Sequence, residues 1–234
     1  MSTTSPTFLL SVTESVHASR DMVLLSLADE RGDFAKTHAK PGQYVMARLP
    51  HFEKAKPFVL ASRPGASRVE LLIKAKDTAE LEKLLALGGA QVEMGAASGA
   101  GYPLERAKGR PVLLFAVGSA VAALRPVIEE LLENPESYGP VHFWYGARTD
   151  ADFAYTSDSQ RWSDGLSTFV RTTSQSPSAS WQGQQGRVQA HIPARLEGAE
   201  EAVAFVCGLP AMEKEVMQLL QERGVAADSI HRNF

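Results

Sequence analysis

The sequence predicts a two-domain fold: an N-terminal antiparallel β-barrel over residues 1–108, then a C-terminal α/β domain with a parallel sheet over residues 109–234. Two observations carry this. Up to about residue 100, apolar residues come in short runs rich in Val, Leu and aromatics, broken by Gly, Pro, Asp and Ser, as strands and turns require. After Gly109, continuous apolar runs alternate with helical stripes, the pattern of strands covered on both faces by helices.

In the first half the expected strands are 8–16, 22–28, 44–49, 58–62, 69–74 and 92–94. Alternation is clearest in Gln43-Tyr44-Val45-Met46-Ala47-Arg48-Leu49. Short antiparallel strands at this spacing suggest closure into a barrel, which removes exposed edges. Residues 78–87 interrupt the pattern with Leu81, Leu84 and Leu85 at helical spacing. In the second half, PVLLFAV at 111–117 reads as a buried strand, 121–132 as a helix and 141–145 as the next strand. A polar helix running to Trp162, a strand at 166–170 and a polar loop at 174–186 follow; the buried run AVAFVC at 202–207 and an amphipathic helix at 211–223 come last.

The 234 residues are 44% hydrophobic and 22% charged, with a net charge of −3, ordinary for a globular chain and unlike a disordered one. No apolar run approaches the ~18 residues of a membrane span. The first ten residues lack the basic region of a secretory signal, so a cytoplasmic location is expected. A single cysteine, Cys207, excludes an internal disulfide, and excludes an iron–sulfur or Cys-rich zinc centre held by this chain's cysteines alone. The six histidines show no metal-ligand spacing, and no metal is expected. Between Phe34 and Lys76, nine Lys/Arg stand against Glu53 and Glu70, a stretch suited to phosphates, to an acidic partner or to a solvated surface. The mild overall acidity and the absence of interleaved aromatics argue against nucleic acid.

In open parallel sheets, ligands bind beyond the carboxyl ends of the strands. Three segments meet that description. Val117-Gly118-Ser119-Ala120-Val121 links a strand to a helix through small residues, either a phosphate-binding turn or simply a tight one. Trp144-Tyr145-Gly146-Ala147-Arg148-Thr149 carries an arginine just past a strand, for a forked phosphate contact or for the surface. In Phe205-Val206-Cys207-Gly208-Leu209-Pro210-Ala211-Met212, Cys207 closes a buried strand and Pro210 opens a helix. A cysteine so placed is a small core residue or a neighbour of the ligand.

Taken in order, these segments resemble the ferredoxin–NADP reductase family, and within it the compact flavin/nicotinamide oxidoreductases without an iron–sulfur domain. Lys40-Pro41-Gly42-Gln43-Tyr44-Val45 is similar to the family's Pro-Gly-Gln-Tyr strand, and Lys56-Pro57-Phe58-Val59-Leu60-Ala61-Ser62 stands at its Arg-x-Tyr-Ser flavin motif. The three later segments stand at its Gly-Gly-Thr-Gly, Tyr-Gly-Ala-Arg and Cys-Gly-Pro turns. The resemblance implies FAD against the barrel at the domain seam and NADH or NADPH across the carboxyl edge of the sheet. Hydride would pass from nicotinamide to flavin, and electrons onward to an acceptor.

By the same resemblance, Lys56 neutralises the FAD pyrophosphate and Phe58 stacks on the flavin ring, a contact worth about 1 kcal/mol. Pro57 and Val59 complete the motif, Val59 without the family's hydroxyl; Lys74, Ala75 and Thr78 contact flavin and pyrophosphate. Gly118, Ser119, Ala120, Arg148, Gly208 and Leu209 hold the nicotinamide dinucleotide, while Cys207 and Phe234 flank the point of hydride transfer. Ala120 replaces a family glycine, and its methyl obstructs the pyrophosphate if that residue needs positive φ or bare backbone. Ser174-Gln175 stands where NADP-preferring members carry Ser-Arg, which slightly favours NADH unless Arg148 or Arg171 takes the 2′-phosphate. The acceptor is a small molecule or a protein, an acidic redox protein among the options. Two alternatives remain: a flavin-binding electron-transfer subunit that uses nicotinamide poorly, and a non-enzymatic interaction module that keeps the fold.

Overall fold

The computed structural model describes residues 6–233. Its first half is a six-stranded antiparallel sheet of β1 (Thr7–Ser19), β2 (Met22–Ala28), β3 (Tyr44–Arg48), β4 (Lys56–Val59), β5 (Arg68–Lys74) and β6 (Gln91–Gly95). The order is β4-β3-β6-β1-β2-β5, and an antiparallel bridge between Leu60 and Leu71 joins the two ends into a barrel. β1 pairs with β6 through Thr7–Ser11 and with β2 through Ser11–Ser19; register shifts at Val12/Glu14 and His17/Ser19 bend it between its two partners. The alternation read in β3 is realised: Val45, Ala47 and Leu49 face the barrel core, while Met46 and Arg48 face out. β4 starts two residues earlier than expected. α1 (Thr78–Leu85) is capped by the Asp77 carboxylate, which accepts from Glu80 N–H at 2.8 Å.

The second half is a six-stranded parallel sheet of β7 (Val112–Val117), β8 (Val141–Ala147), β9 (Thr168–Thr173), β10 (Gln184–Gln185), β11 (Val203–Cys207) and β12 (Ile230–Arg232). Its order is β10-β9-β8-β7-β11-β12. The chain runs outward from β7 to β10, then returns to place β11 on the other side of β7, so the topological switch lies between β7 and β11. The helices are α2 (Val121–Glu133), α3 (Ser159–Gly165) and α4 (Pro210–Glu222). The polar segment 174–186 contains β10, a two-residue edge strand, and β12 forms the opposite edge; neither is long enough to carry a periodic signal. The polar helix expected up to Trp162 is confined to α3, and β9 extends to Thr173.

One apolar cluster crosses the seam. It joins Met22, Ala61, Leu72 and Tyr102 to residues of the sheet half such as Leu124, Tyr145 and Phe205. Polar ties reinforce it. The Tyr102 hydroxyl donates to Val206 O at 3.2 Å, and Arg20 binds the Asp152 carboxylate at 2.6 Å. Arg125 of α2 pairs with Glu70 of β5 and donates to Ala61 O at 3.3 Å. Among the described residues, no helix is long and apolar enough to cross a membrane.

Candidate functional site

Five residues expected to hold the cofactor converge at the seam. Lys56 and Phe58 of β4, Lys74 at the end of β5 with Ala75 next to it, and Arg148 just past β8 line one hollow of about 470 Å³. Phe58 is half-buried and packs against the barrel core; its ring lies 6.4 Å from that of Phe52, with 18° between their planes. Lys56 Nζ stands 3.8 Å from the centre of the Phe52 ring, a cation–π contact. The hollow is bordered by the cations Lys56, Lys74, Lys76 and Arg148 and by the acids Asp21 and Glu80, a balance of two positive charges. A second hollow of about 540 Å³ shares Phe52, Lys56, Lys76 and Glu80 with the first. Two adjoining hollows with an aromatic wall and a surplus of two positive charges fit a flavin dinucleotide, whose ring needs a stacking face and whose diphosphate carries two negative charges.

Three of these four cations are ion-paired. Lys56 faces Glu80 at 3.9 Å, and Glu80 also accepts from Lys76 N–H at 2.8 Å. Asp21 forms an ion pair with Lys74 at 3.2 Å and accepts from Arg148 at 3.4 Å. Other cations of the basic stretch 34–76 are also ion-paired: Arg48 with Glu93, Arg63 with Glu130 and Glu133, Arg68 with Glu14. Most of these acids are remote in sequence, so much of the positive run seen along the chain is neutralised in the fold.

At the switch point, Gly118 has φ +55°, the left-handed region where glycine is at ease. Ala120 has φ −64° and ψ −16°, ordinary right-handed geometry. The expected obstruction by the Ala120 methyl is therefore corrected in its conformational part: the residue that needs positive φ is Gly118, and it is glycine. The Tyr145 hydroxyl donates to Gly118 O at 3.2 Å and accepts from Ala154 N–H at 3.1 Å, tying the turn to the loop after β8. Burial raises the Tyr145 phenol pKa, so the group stays a neutral donor.

Cys207 lies beside Ala116 in the β11–β7 register and is buried. Burial, and then the Glu213 carboxylate, push its thiol up to about 12. It is therefore a small neutral group, not a thiolate nucleophile. Gly208 N–H donates to Glu213 Oε1 at 3.0 Å, and a side chain at Gly208 would lie 2.7 Å from both Val117 and Met212. Leu209 is 69% exposed, and Pro210 is the first residue of α4.

The remaining expected residues lie apart from the seam hollow. Pro57 and Thr78 are exposed and line neither hollow. Val59 and Ala120 pack against the apolar cluster that holds Cys207. Ser119, Gly118, Gly208 and Leu209 stand at the two strand ends that flank the switch point. Phe234 lies outside the described residues. Sequence reasoning missed Asp21, Phe52 and Glu80, and named Lys76 only within the basic stretch suited to phosphates. An aromatic residue alone in the polar connection 50–55 was a signal for Phe52. Glu80 reads in sequence as an ordinary first-turn helix residue, and Asp21 as a hairpin-turn residue.

Comparison with known proteins places this geometry in context. Residues 114–218 match the family model described as the oxidoreductase NAD-binding domain. The chain is 30% identical over 225 residues to ferredoxin–NADP reductase B of Sorangium cellulosum, covering 88% of each chain. It is 28% identical over 229 residues to the reductase component of propane 2-monooxygenase of Rhodococcus jostii, covering 94% of this chain and 61% of that one. It thus spans only about three fifths of several curated relatives it matches. A ferredoxin NADP+ reductase from Neisseria gonorrhoeae, solved with bound FAD and NADP, superposes with a TM-score of 0.75 at 16% identity, over 99% of this chain and 100% of that one.

Proposed function

The chain belongs to the ferredoxin–NADP reductase family, and from that premise we propose that it is an FAD-dependent NAD(P)H oxidoreductase that delivers electrons to an acceptor. FAD occupies the groove at the seam, and NAD(P)H the carboxyl edge of the sheet. Bound flavin supplies a ring that takes hydride from reduced nicotinamide and passes electrons on. Phe58 gives that ring a stacking face, and Lys56 with Lys76 neutralises the diphosphate. Lys74 and Arg148 hold the side of the groove nearest the sheet domain, sharing Asp21 as counter-ion. Backbone N–H groups of the Gly118-Ser119-Ala120 turn and of Leu209 bind the nicotinamide dinucleotide at the switch point, where the Gly208 N–H is held by Glu213. Cys207 leaves room there for a flat ring and donates no charge. No side chain has to act as an acid or base, because hydride transfer between rings moves no separate proton.

The division of labour falls near residues 108/109, with flavin held mainly by the first part and nicotinamide by the second. NADH is preferred over NADPH, because neutral Gln175 offers the 2′-phosphate no charge. The acceptor is a redox protein or a small oxidant. The ion pairing of the 34–76 cations lends an acidic protein no special support. A chain with one buried thiol suits the reducing cytoplasm.

The observation that supports this reading most is the convergence of Lys56 and Phe58 of β4, Lys74 of β5 and Arg148 past β8 on one hollow. The test is an absorption spectrum of the protein after incubation with FAD and desalting, then anaerobic addition of NADH or NADPH. A retained flavin spectrum that bleaches with reduced nicotinamide is the expected result. A colourless protein would favour the interaction module, and a coloured one that neither coenzyme bleaches would favour the electron-transfer subunit.

A further inference from the structure

Two unfavourable arrangements stand side by side at the seam. Arg125, in the second turn of α2, is mostly buried, as are the carboxylates it faces, Glu70 of β5 and Asp158 just before α3. Tyr155, in the loop after β8, is the one non-glycine residue with positive φ among the described residues, at +57°. The Arg125 guanidinium lies over its ring, 4.8 Å from the centre. The Tyr155 hydroxyl is shielded from solvent and has no hydrogen-bond partner among the described residues.

Taking a guanidinium out of water is costly, and an apolar side chain of similar volume is often no less stabilising in such a place. A left-handed tyrosine adds backbone strain. The seam around them is already apolar, with Ala61, Leu72, Leu124 and Tyr155 in one cluster. Apolar contact is non-directional and fixes an angle poorly. A planar fork of N–H donors adds direction.

Here the fork spans both halves of the molecule. From α2, Arg125 Nη1 pairs with Glu70 and donates to Ala61 O at 3.3 Å, while Nε faces Asp158 at 3.5 Å. Glu70 is held in turn. Its N–H donates to Ser62 Oγ at 3.2 Å, its carbonyl accepts from Ala61 N–H at 2.8 Å, and its carboxylate faces Arg68 at 3.4 Å. Ala61 lies two residues past β4, and Glu70 lies in β5; these strands carry Phe58 and Lys74, both assigned to the flavin. α2 starts at the turn assigned to the nicotinamide dinucleotide. One side chain therefore couples the two parts of the site, and it lines neither flavin hollow itself.

We infer that Arg125 is a positioning residue for hydride transfer: by fixing α2 against β4 and β5, it sets the distance and angle between the nicotinamide and flavin rings. The inference rests on the proposed sites and adds the contact that holds them in register. A displacement of about 1 Å at a reacting centre can lower a rate about a hundredfold. Loosening this contact therefore slows the transfer before it weakens either ligand.

The test is anaerobic stopped-flow reduction of the FAD-loaded protein by NADH, with FAD and NADH affinities measured alongside and the rate expressed per bound flavin. Arg125→Met keeps length and apolar packing but has no fork. Its rate at saturating NADH is expected to fall about tenfold, with both affinities within about twofold of the unaltered protein. Arg125→Lys, which keeps a charge for Glu70, is expected to recover part of the rate. Glu70→Gln keeps the volume and an acceptor oxygen; it should also lower the rate, and add little to Arg125→Met, because both act through one contact. A merely structural role would shift the urea midpoint and the flavin content while leaving the rate per bound flavin unchanged. That result in Arg125→Met, or in Glu70→Gln if the former does not fold, overturns the inference alone. So does a loss of NADH or FAD affinity with the saturating rate intact. An unaltered protein that binds no FAD, or whose flavin neither NADH nor NADPH reduces, overturns the proposed function and this inference together.

Discussion

The Tyr145 hydroxyl bridges two loops: it donates to the carbonyl of Gly118 and accepts from the backbone N–H of Ala154. The turn after β7 therefore owes its position to a residue of β8. Tyr145→Phe keeps the buried ring but leaves Ala154 N–H without its acceptor. The expected cost is about 1 kcal/mol of stability, read from the midpoint of urea unfolding. NAD(P)H affinity is expected to fall several-fold with FAD affinity unchanged, because only the switch-point turn is loosened. Equal loss of both ligands would mean that the bridge supports the whole domain pair rather than this turn.

Phe58→Ala removes the stacking face of the seam hollow. FAD affinity is expected to drop by about tenfold, corresponding to roughly 1.4 kcal/mol. Phe58→Tyr keeps the face and should bind FAD within about twofold of the unaltered protein. Fluorescence titration distinguishes these outcomes. Unchanged affinity in the alanine variant would reduce Phe58 to a barrel-core residue, consistent with its packing against that core.

The barrel and the parallel sheet were legible because their periods differ and their runs are long: β7 and β11 are buried on both faces, and β3 alternates. β10 and β12 were not, since two or three residues hold no period. At the site, Lys56, Phe58, Lys74 and Arg148 were readable by motif. Their counter-ions were not, because Asp21 reaches the groove from a hairpin tip and meets Arg148 more than a hundred residues away. Backbone conformation was equally invisible: the sequence marks Ala120 as a departure, but only φ and ψ show that the methyl sits in ordinary helical geometry.

That geometry sets the outcome expected for Ala120→Gly. No positive φ needs to be relieved, and the alanine packs against the cluster that crosses the seam. Glycine there adds backbone freedom just before α2 and is expected to destabilise the fold by about 0.5–1 kcal/mol. NADH affinity should stay level or fall slightly. A clear gain in affinity by titration would instead show that the methyl itself crowds the coenzyme.

Glu80 sets an acid between Lys56 and the backbone N–H of Lys76, beside the place assigned to the FAD diphosphate. Its carboxylate competes for the cation and repels phosphate. Glu80→Gln keeps an acceptor for Lys76 N–H while removing the charge, so FAD affinity is expected to rise, by up to about tenfold at low ionic strength. The gain should shrink as salt is added, and riboflavin, which has no phosphate, should show none. A gain that persists undiminished at high salt would point to a packing effect instead.

His38 gives the fold a defined response to acid. The ring is buried beside the barrel, its Nε2 has no hydrogen-bond partner among the described residues, and burial lowers its pKa to about 4, with a backbone hydrogen bond at Lys40 opposing the shift. The unfolded chain takes up a proton near pH 6.5, which the folded chain refuses until about pH 4. Stability is therefore complete above pH 6.5 and is lost as pH falls toward 4. Linkage puts the loss between pH 7 and pH 5 at about 2 kcal/mol from this residue alone. His142 and His231 are lowered too, chiefly by burial, and add to the loss in the same direction. Urea unfolding at the two pH values tests the assignment: His38→Asn, which cannot titrate, should lose about 2 kcal/mol less than the unaltered protein over this interval. An identical pH dependence in the two proteins would mean that His38 is free to protonate in the folded barrel.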